Sequence, residues 1–233
     1  MKSNSWGRLW GALGKPGETF ESIAERPTWA LALAVLSVVS AAAVLAMFSR
    51  VDMAEAIRQQ VVAQGREVSP AMMQQMGRVS GCITAVSVLG TPLFYLAMAA
   101  VFLLFNLLGG QLDYRKSLAV TVHAALPRAV QALLTIPVAL ARSGLTLEEM
   151  RGGLLRSNLA FLAPEGAGKP LVALLSSFDL FTLWNLVLLV IGYRVAARVS
   201  RATAATTVVV LWAVVVAVLV ALSALGGARG GPG

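Results

Sequence analysis

The stretch SFDLFTLWNLVLLVIGYRVAARVSRATA, residues 177–204, decides the fold class of this chain. An apolar run of about 18 or more residues is the pattern of a membrane-spanning helix. This run carries one carboxylate, Asp179, and ends in Arg194, Arg198 and Arg201 with no acidic residue among them. Because an ionisable side chain inside such a run is costly, it faces protein or water and has a partner. The stretch therefore predicts a membrane helix with a basic flank and a candidate site at Asp179.

The composition of the whole chain agrees with a membrane protein. Of the 233 residues, 58% are hydrophobic and 13% are charged, whereas soluble domains carry about 25% charged residues. The formal net charge is +8, but the basic residues are scattered over short loops and form no continuous stripe. This distribution argues against a nucleic-acid partner. It fits attraction to anionic headgroups, so membrane lipids are the predicted partners.

Five apolar segments predict an all-α, polytopic bundle of five transmembrane helices within residues 29–225, followed by a flexible glycine-rich tail at 226–233. Each segment has about 20 to 28 residues, enough to cross about 30 Å of hydrocarbon with some tilt. Pro92, Pro127 and Pro137 lie inside the second and third segments, where we expect kinks because neighbouring helices satisfy the freed carbonyls. The segments are approximately 29–48, 81–108, 117–141, 171–193 and 204–225.

The connecting segments contain helix start and stop signals. Residues 52–78 are polar and helix-prone, and Ser69-Pro70 is typical of a helix start. Thr146 is the predicted cap of a short helix in the next long connection. Asn106, Gly109 and Gly110 predict the end of a helix at a glycine. Gly90 and Thr91, beside Pro92, predict a kink or a close contact between helices.

The N-terminal residues 1–28 form the predicted cytoplasmic amphipathic segment. Trp6, Leu9, Trp10 and Leu13 share one helical face, with basic residues off that stripe. Two tryptophans on such a face favour a helix lying in the membrane interface. The alternative, that the stripe packs on the bundle, is equally open. A second short helix over about 18–25 would then present two apolar side chains, Phe20 and Ile23.

The predicted orientation places the N-terminus in the cytoplasm and the C-terminus outside. Once Arg128 is set aside, the remaining 18 of the 19 lysines and arginines divide equally between the two sides. The N-terminal set is concentrated in shorter segments close to the spans, where positive charge determines topology. Because arginine outnumbers lysine and alanine is abundant, we expect a bacterial protein of the inner membrane.

The order of these features resembles the Yip-domain family, whose eukaryotic members interact with Rab GTPases in Golgi traffic. An N-terminal P-G-E-T-F-x-S-I precedes five apolar segments, and the fourth carries F-D-x-F-x-x-W. The resemblance covers nearly the whole chain and suits the prokaryotic branch. It implies five spans, a cytoplasmic N-terminus and no enzymatic activity, whereas the eukaryotic D-L-Y-G-P-type motif is missing. The motif positions are Pro16, Phe20, Pro27, Phe178, Asp179, Trp184 and Gly192.

Four polar side chains inside the spans form the predicted intramembrane cluster. His123 and Arg128 lie in the third span, and Asp179 and Asn185 lie in the antiparallel fourth span. At a rise of 1.5 Å per residue, Arg128 and Asp179 fall roughly 20 Å above the cytoplasmic end, and His123 and Asn185 fall roughly 12 Å above it. We therefore predict that Arg128 and Asp179 pair directly or through one water. Such a pair would have one of two roles. It would form part of a polar relay or of a site for lipid headgroups, or it would only hold two helices together.

No catalytic pattern points to an enzyme. The paired glutamates at 148–149 lack the arginine that intramembrane prenyl-protein proteases require, since position 153 is glycine. His123 and Cys82 are the only histidine and cysteine, so no metal site and no cofactor is expected. The leading hypothesis is a non-enzymatic scaffold or adaptor that organises lipid or recruits a protein partner at its cytoplasmic face. That face would comprise 1–28, 109–116 and 194–203; the alternative is a small transporter or channel that uses the polar cluster.

Overall fold

A computed structural model describes residues 4–51, 58, 62, 70–146, 149, 153–164 and 166–228. These residues are helical apart from turns, loops and one isolated antiparallel bridge between Asn158 and Asp179, so the fold is all-α as predicted. Short 3₁₀ helices occupy Phe102–Leu108 and Leu159–Leu162. The α-helices are α1 (Ser5–Gly14), α2 (Pro16–Glu25), α3 (Ala30–Phe48), α4 (Pro70–Val101), α5 (Tyr114–Ala124), α6 (Leu126–Leu140), α7 (Lys169–Ser177), α8 (Leu180–Ala196) and α9 (Arg201–Ala228).

Four of the five predicted spans are long and apolar enough to cross a membrane within the described part of the chain. The fourth predicted span, 171–193, does not meet this criterion, because the chain divides it into α7 and the shorter apolar helix α8. The four continuous candidates are Ala30–Phe48, Thr84–Leu108, Tyr114–Leu140 and Arg201–Leu225.

The prolines inside the spans act in different ways. α4 continues through Pro92 and α6 through Pro137. Pro127, in contrast, follows an interruption at Ala125, where α5 ends and α6 begins. The expected kink at Pro127 is therefore a change of helix. At Gly90 a Cβ would meet no atom within 4 Å, so this glycine does not mark a close helix contact.

The connections match several of the expected signals. α4 begins at Pro70, although most of the polar segment at 52–78 lies outside the described residues. The helix stop after α4 is Gly109, with φ of +81°, and α9 continues to Ala228, past the predicted start of the tail. Thr146 makes the hydrogen bond expected of a cap, since the backbone N–H of Glu149 donates to Thr146 Oγ1 at 3.1 Å, but most of the short helix predicted there lies outside the described residues.

The N-terminal helices are part of the core. Phe20 and Ile23 of α2 are fully buried against α5, α8 and the 3₁₀ turn at Phe102–Leu108. In α1, Leu9 is buried against α3 and α5, whereas Trp6 and Trp10 are 60% and 74% exposed. The predicted stripe is thus divided: its leucine side packs on the bundle and its tryptophan side is exposed.

Hydrogen bonds from Arg8 hold α1 against the end of α2. The sequence predicted that it lies off the apolar stripe, but its side chain is 6% exposed. Its guanidinium donates to the carbonyl oxygens of Arg26 (2.7 Å) and Ser22 (3.3 Å) and to the hydroxyls of Thr28 and Ser22. A cation at a helix C-terminus satisfies carbonyls that the helix leaves without partners. Arg8 therefore fixes α1 on the bundle.

Candidate functional site

The fourth predicted span is interrupted at Asp179. α7 ends at Ser177 and α8 begins at Leu180. The Asp179 carboxylate accepts hydrogen bonds from the backbone N–H groups of Phe181 (2.9 Å) and Thr182 (3.2 Å). These are two of the N–H groups that a helix leaves unpaired at its start. Asp179 therefore caps α8. The prediction that it lies within a continuous helix was wrong.

Residues 157–159 run across this interruption and pair with its backbone. The Leu159 N–H donates to the Phe178 carbonyl at 3.2 Å, and the Leu180 N–H donates to the Ser157 carbonyl at 2.9 Å. Backbone groups away from water are costly unless they are paired, so non-helical chain at membrane depth has to be covered by protein. The 157–159 segment supplies this cover.

Arg128 does not form a direct ion pair with Asp179 in the described structure. The second carboxylate oxygen of Asp179 accepts from the Ser157 hydroxyl and from Gln131 Nε2 at 3.2 Å. Arg128 Nη1 donates instead to Thr182 Oγ1 at 2.7 Å. The predicted pair is thus replaced by separate bonds, because Asp179 is turned towards the positive end of α8. Thr182 contacts both residues, so the two charges are neighbours without being partners.

His123 and Asn185 each bind backbone and do not bind one another. His123 Nδ1 lies 2.8 Å from the Ala119 carbonyl within its own helix. Asn185 Nδ2 donates to the Ala124 carbonyl at 2.7 Å. This carbonyl is free because the Arg128 N–H bonds to the Ala125 carbonyl, at 2.8 Å, where the helix changes. Asn185 is therefore the neighbour that satisfies the interruption at Pro127.

A cleft of about 1470 Å³ separates α3, α4 and α6 from α7, α8 and α9. Its walls come from the second half of α3, from 87–102, from 121–135 and from 208–223. The lining begins beside the core around Tyr193, at Phe102, Thr121 and Val208, and extends from there away from α1 and α2. Leucine, valine, methionine and aromatic side chains form most of the lining, with isolated hydroxyl and amide groups among them. This is the composition of a site that binds an apolar molecule and orients it by a few polar contacts.

The charged side chains that line the cleft are cationic. In the described lining, Arg128 and Lys169 are the charged residues, and no aspartate or glutamate accompanies them. Arg128 is exposed to the cleft although it lies near the middle of the Tyr114–Leu140 span. The structure thus places two members of the predicted cluster, Arg128 and Asn185, on the cleft. His123 and Asp179 lie outside its lining.

The opposite end of the bundle is closed by a buried network around Tyr193, which the sequence analysis missed. The Tyr193 hydroxyl lies 2.9 Å from Ser117 Oγ and 2.7 Å from Thr121 Oγ1. Ser117 Oγ also donates to the Ala99 carbonyl at 2.6 Å, so the network joins α4, α5 and α8. A tyrosine in an apolar run needs a partner for its hydroxyl. The hydroxyls four residues apart at 117 and 121 were the signal for it.

The family-motif positions surround this closed end and the interruption. Pro16 begins α2, Pro27 lies between α2 and α3, and Trp184 packs on the core around Tyr193. Phe178 contacts Trp212 edge to face, with 5.2 Å between ring centroids. These residues therefore support packing between helices and contain no constellation of reactive groups.

Gly192 is the motif position at which space is tightest. A Cβ there would lie 2.6 Å from Val120 Cγ1 and 3.0 Å from the Phe20 ring. Glycine allows α2, α5 and α8 to meet at this point, which is the usual role of small residues in membrane bundles.

The end of the bundle near α1 and α2 carries an exposed basic surface. The two loops predicted for this face meet, because the Gln111 N–H donates to the Ala197 carbonyl at 3.0 Å. The basic side chains around them are exposed to their surroundings. They are Arg115, Arg194, Arg198 and Arg201.

Comparison with known proteins identifies the family. The sequence model of the Yip1 domain matches residues 10–222. The membrane protein YknW of Bacillus subtilis (strain 168) is 25% identical over 213 residues, which cover 89% of this chain and 86% of that protein. No solved structure shows a significant match. Because the family match extends over most of the chain, the protein belongs to the Yip1-domain family of multi-pass membrane proteins.

Proposed function

We propose that this protein is a non-enzymatic membrane scaffold that holds lipid in its cleft and thereby organises the lipid around it. The observation that carries the proposal is the cleft of about 1470 Å³ between the two groups of helices. Its lining is mostly apolar, and a space of this size between membrane helices is filled by lipid chains or by water. Apolar walls favour lipid chains, because they offer water few hydrogen-bond partners.

The proposal includes a fifth crossing by α7 and α8 together. Both helices pack against α9, which has 28 residues and is itself a candidate span. The ring contact between Phe178 and Trp212 joins α9 to the junction between α7 and α8. The backbone of that junction is paired with residues 157–159, which makes a non-helical point acceptable at membrane depth. Five crossings would place the two termini on opposite sides.

In the proposed orientation, the end with α1 and α2 is cytoplasmic in a bacterial inner membrane. The exposed arginines of this end would then lie beside the anionic cytoplasmic leaflet, in agreement with the positive-inside rule. Trp6 and Trp10 would lie at headgroup level. A protein partner would be engaged at this same face, and the cleft would open to the outer half of the bilayer.

The polar groups of the interruption argue against the alternative of a transporter or channel. In transporters, unwound helices offer free backbone groups and helix ends to the substrate. Here Asp179 already accepts four hydrogen bonds from protein groups. Phe178 and Leu180 have their backbone bonds to the 157–159 segment. The interruption thus has a packing role in the proposed function.

Site-directed spin labelling distinguishes lipid from water in the cleft. Cys82 is the only cysteine, so Cys82→Ala provides a cysteine-free background. A nitroxide at Thr91→Cys reports on the cleft. Val38→Cys, exposed on another face of α3, and Lys15→Cys, exposed near the N-terminus, provide the lipid and water references.

In liposomes, we expect the label at position 91 to match position 38 in high accessibility to oxygen and low accessibility to a water-soluble nickel complex. Oxygen partitions into lipid, whereas the nickel complex stays in water. A label at position 91 that behaves like position 15 would show a water-filled path, and the scaffold proposal would be replaced by transport.

A further inference from the structure

We infer that the cleft binds one anionic phospholipid and that Arg128 is the residue that binds its phosphate. This inference rests on the proposed function, since it requires that lipid fills the cleft. It adds the chemical class of the lipid and the side chain that selects it. Three features lead to it step by step: the position of the Arg128 charge, the unused N–H donors of that side chain and the shape of the cleft.

The first step is the position of Arg128. It lies 14 residues after the start of the span Tyr114–Leu140, which at 1.5 Å per residue is about 21 Å along the helices. A guanidinium at this depth is costly unless an anion, a carbonyl or water accompanies it. The side chain is exposed, and it points into the cleft rather than into the packed core.

The second step is the number of free donors. A guanidinium has five N–H groups in a planar fork and cannot lose its proton in a protein. Among the described residues, one bond is made, from Nη1 to Thr182 Oγ1 at 2.7 Å. Asp179, the neighbouring carboxylate, is occupied by Gln131, Ser157 and its own helix. The remaining N–H groups of the Arg128 guanidinium are therefore available to a ligand, and a phosphate accepts two parallel bonds from such a fork.

The third step is the match between the cleft and an anionic amphiphile. The described lining carries Arg128 and Lys169, and the neighbouring Asp179 carboxylate is buried outside it, so the surface that faces the cleft is cationic. The remaining walls are mostly apolar and suit acyl chains. Basic pockets between transmembrane helices are known to bind lipid headgroups. A phospholipid with net negative charge satisfies the cation and the apolar walls together, whereas a free phosphate would satisfy only the cation.

The test measures lipid binding to the full chain, purified in detergent and freed of native lipid. Native mass spectrometry would quantify binding of phosphatidylglycerol and of phosphatidylcholine with the same acyl chains. Arg128→Gln removes the proposed ligand. Arg142→Gln, at an exposed arginine outside both the cleft and the basic surface near α1 and α2, is the matched control. Circular dichroism and gel filtration would check that each variant keeps the native fold.

We expect the unaltered protein to bind phosphatidylglycerol about tenfold more tightly than phosphatidylcholine, a difference of about 1.4 kcal/mol. Arg128→Gln should abolish this preference by weakening the binding of the anionic lipid alone, and Arg142→Gln should leave it unchanged. Arg128→Lys keeps the charge but loses the planar fork, so we expect it to retain part of the preference. Thr182→Val, which removes the acceptor that positions the guanidinium, should lower the preference without removing the charge.

Several results would overturn the inference. The first is a preference for phosphatidylglycerol that survives Arg128→Gln. The second is an equal loss of the preference in the Arg142→Gln control. The third is competition by inorganic phosphate at lipid-like concentrations, which would identify a free-anion site. Equal binding of both lipids would remove the headgroup selection but leave the scaffold proposal standing. If neither lipid binds the unaltered protein, the proposed function fails as well.

Discussion

The two ends of this bundle differ in how their polar side chains find partners. Near α1 and α2, the Tyr193 hydroxyl, Ser117 and Thr121 are buried and hydrogen-bonded to one another, Phe105 stacks against the Tyr193 ring, and Phe102 contacts that ring at a tilt. At the other end the helices separate around the cleft, and the guanidinium of Arg128, one of its two charged groups, has one protein partner in the described structure.

This difference separates the part of the bundle that provides stability from the part that we propose binds lipid. Helices in lipid associate through close packing and hydrogen bonds between small and polar residues, because apolar burial gives no advantage over lipid tails. The closed end has both of these interactions. The open end has few of them, so its helices need another component between them. We therefore expect substitutions at the closed end to change stability and substitutions in the cleft to change lipid binding.

The largest stability effect is expected at the interruption that separates the two ends. Asp179→Ala removes an acceptor of four hydrogen bonds and leaves buried donors without partners. Each unsatisfied buried donor costs about 1–3 kcal/mol, so we expect a loss of about 3 kcal/mol in the free energy of unfolding. The measurement is reversible unfolding in mixed detergent micelles.

The matched control for that loss is Asp113→Ala. Asp113 also caps a helix, by accepting from the Lys116 N–H at 2.8 Å, but its side chain is exposed. The expected cost of losing an exposed cap is about 1 kcal/mol. Equal losses for the two variants would contradict the view that Asp179 supports the junction between α7 and α8.

The next effect compares the same substitution at two helical glycines. Gly192→Ala brings a Cβ to 2.6 Å from Val120 Cγ1 at the closed end, and overpacking of this kind costs about 1–3 kcal/mol. Gly90 lines the cleft, and the Cβ added by Gly90→Ala would meet no atom within 4 Å. There we expect no loss, or a gain of up to about 1 kcal/mol from helix propensity. A shift of the melting temperature in the same direction for both variants would remove the contrast between the ends.

A smaller effect is expected from removing one hydroxyl. Tyr193→Phe deletes the centre of the buried network, but Ser117 and Thr121 keep their bonds to backbone carbonyls. We therefore expect a loss of about 1 kcal/mol, the usual net value of one hydrogen bond. Tyr95→Phe is the control, since the Tyr95 hydroxyl has no hydrogen bond within the described residues and its ring lines the cleft. Thermal unfolding should be unchanged in Tyr95→Phe, and an equal shift in both variants would count against the network.

Composition and apolar run length were sufficient to predict the all-α class and four of the spans, because the solvent imposes both. They were not sufficient at Asp179, since an apolar run does not record where the chain leaves the helix. The bonds from residues 157–159 that make this possible come from a distant loop. Arg8 shows the same limit: its place off the stripe was correct on a helical wheel, but α2 covers that side.

The intramembrane cluster stays a prediction, and what the sequence supplied was the register of antiparallel helices. This register brought Arg128 beside Thr182 and Asn185 beside Ala124, each within a few residues of the expected partner. The partners themselves depended on side-chain direction, which the sum of residue numbers does not contain. The cleft was outside the reach of the sequence altogether, because it is a space between helices and has no pattern of its own.

The smallest expected effect is the coupling between Arg128 and Asp179. A direct ion pair predicts that Arg128→Leu rescues Asp179→Ala, since removing one partner of a buried pair strands the other charge. In the structure, Arg128 is exposed to the cleft and bonds Thr182 instead. We therefore expect Arg128→Leu alone to cost less than about 1 kcal/mol in detergent. The double variant should differ from the sum of the single losses by less than about 1 kcal/mol, because the two residues share Thr182 but do not bond one another. A coupling energy of 2 kcal/mol or more in this double-mutant cycle would show that Arg128 and Asp179 form an ion pair. It would also contradict the proposed anion site in the cleft.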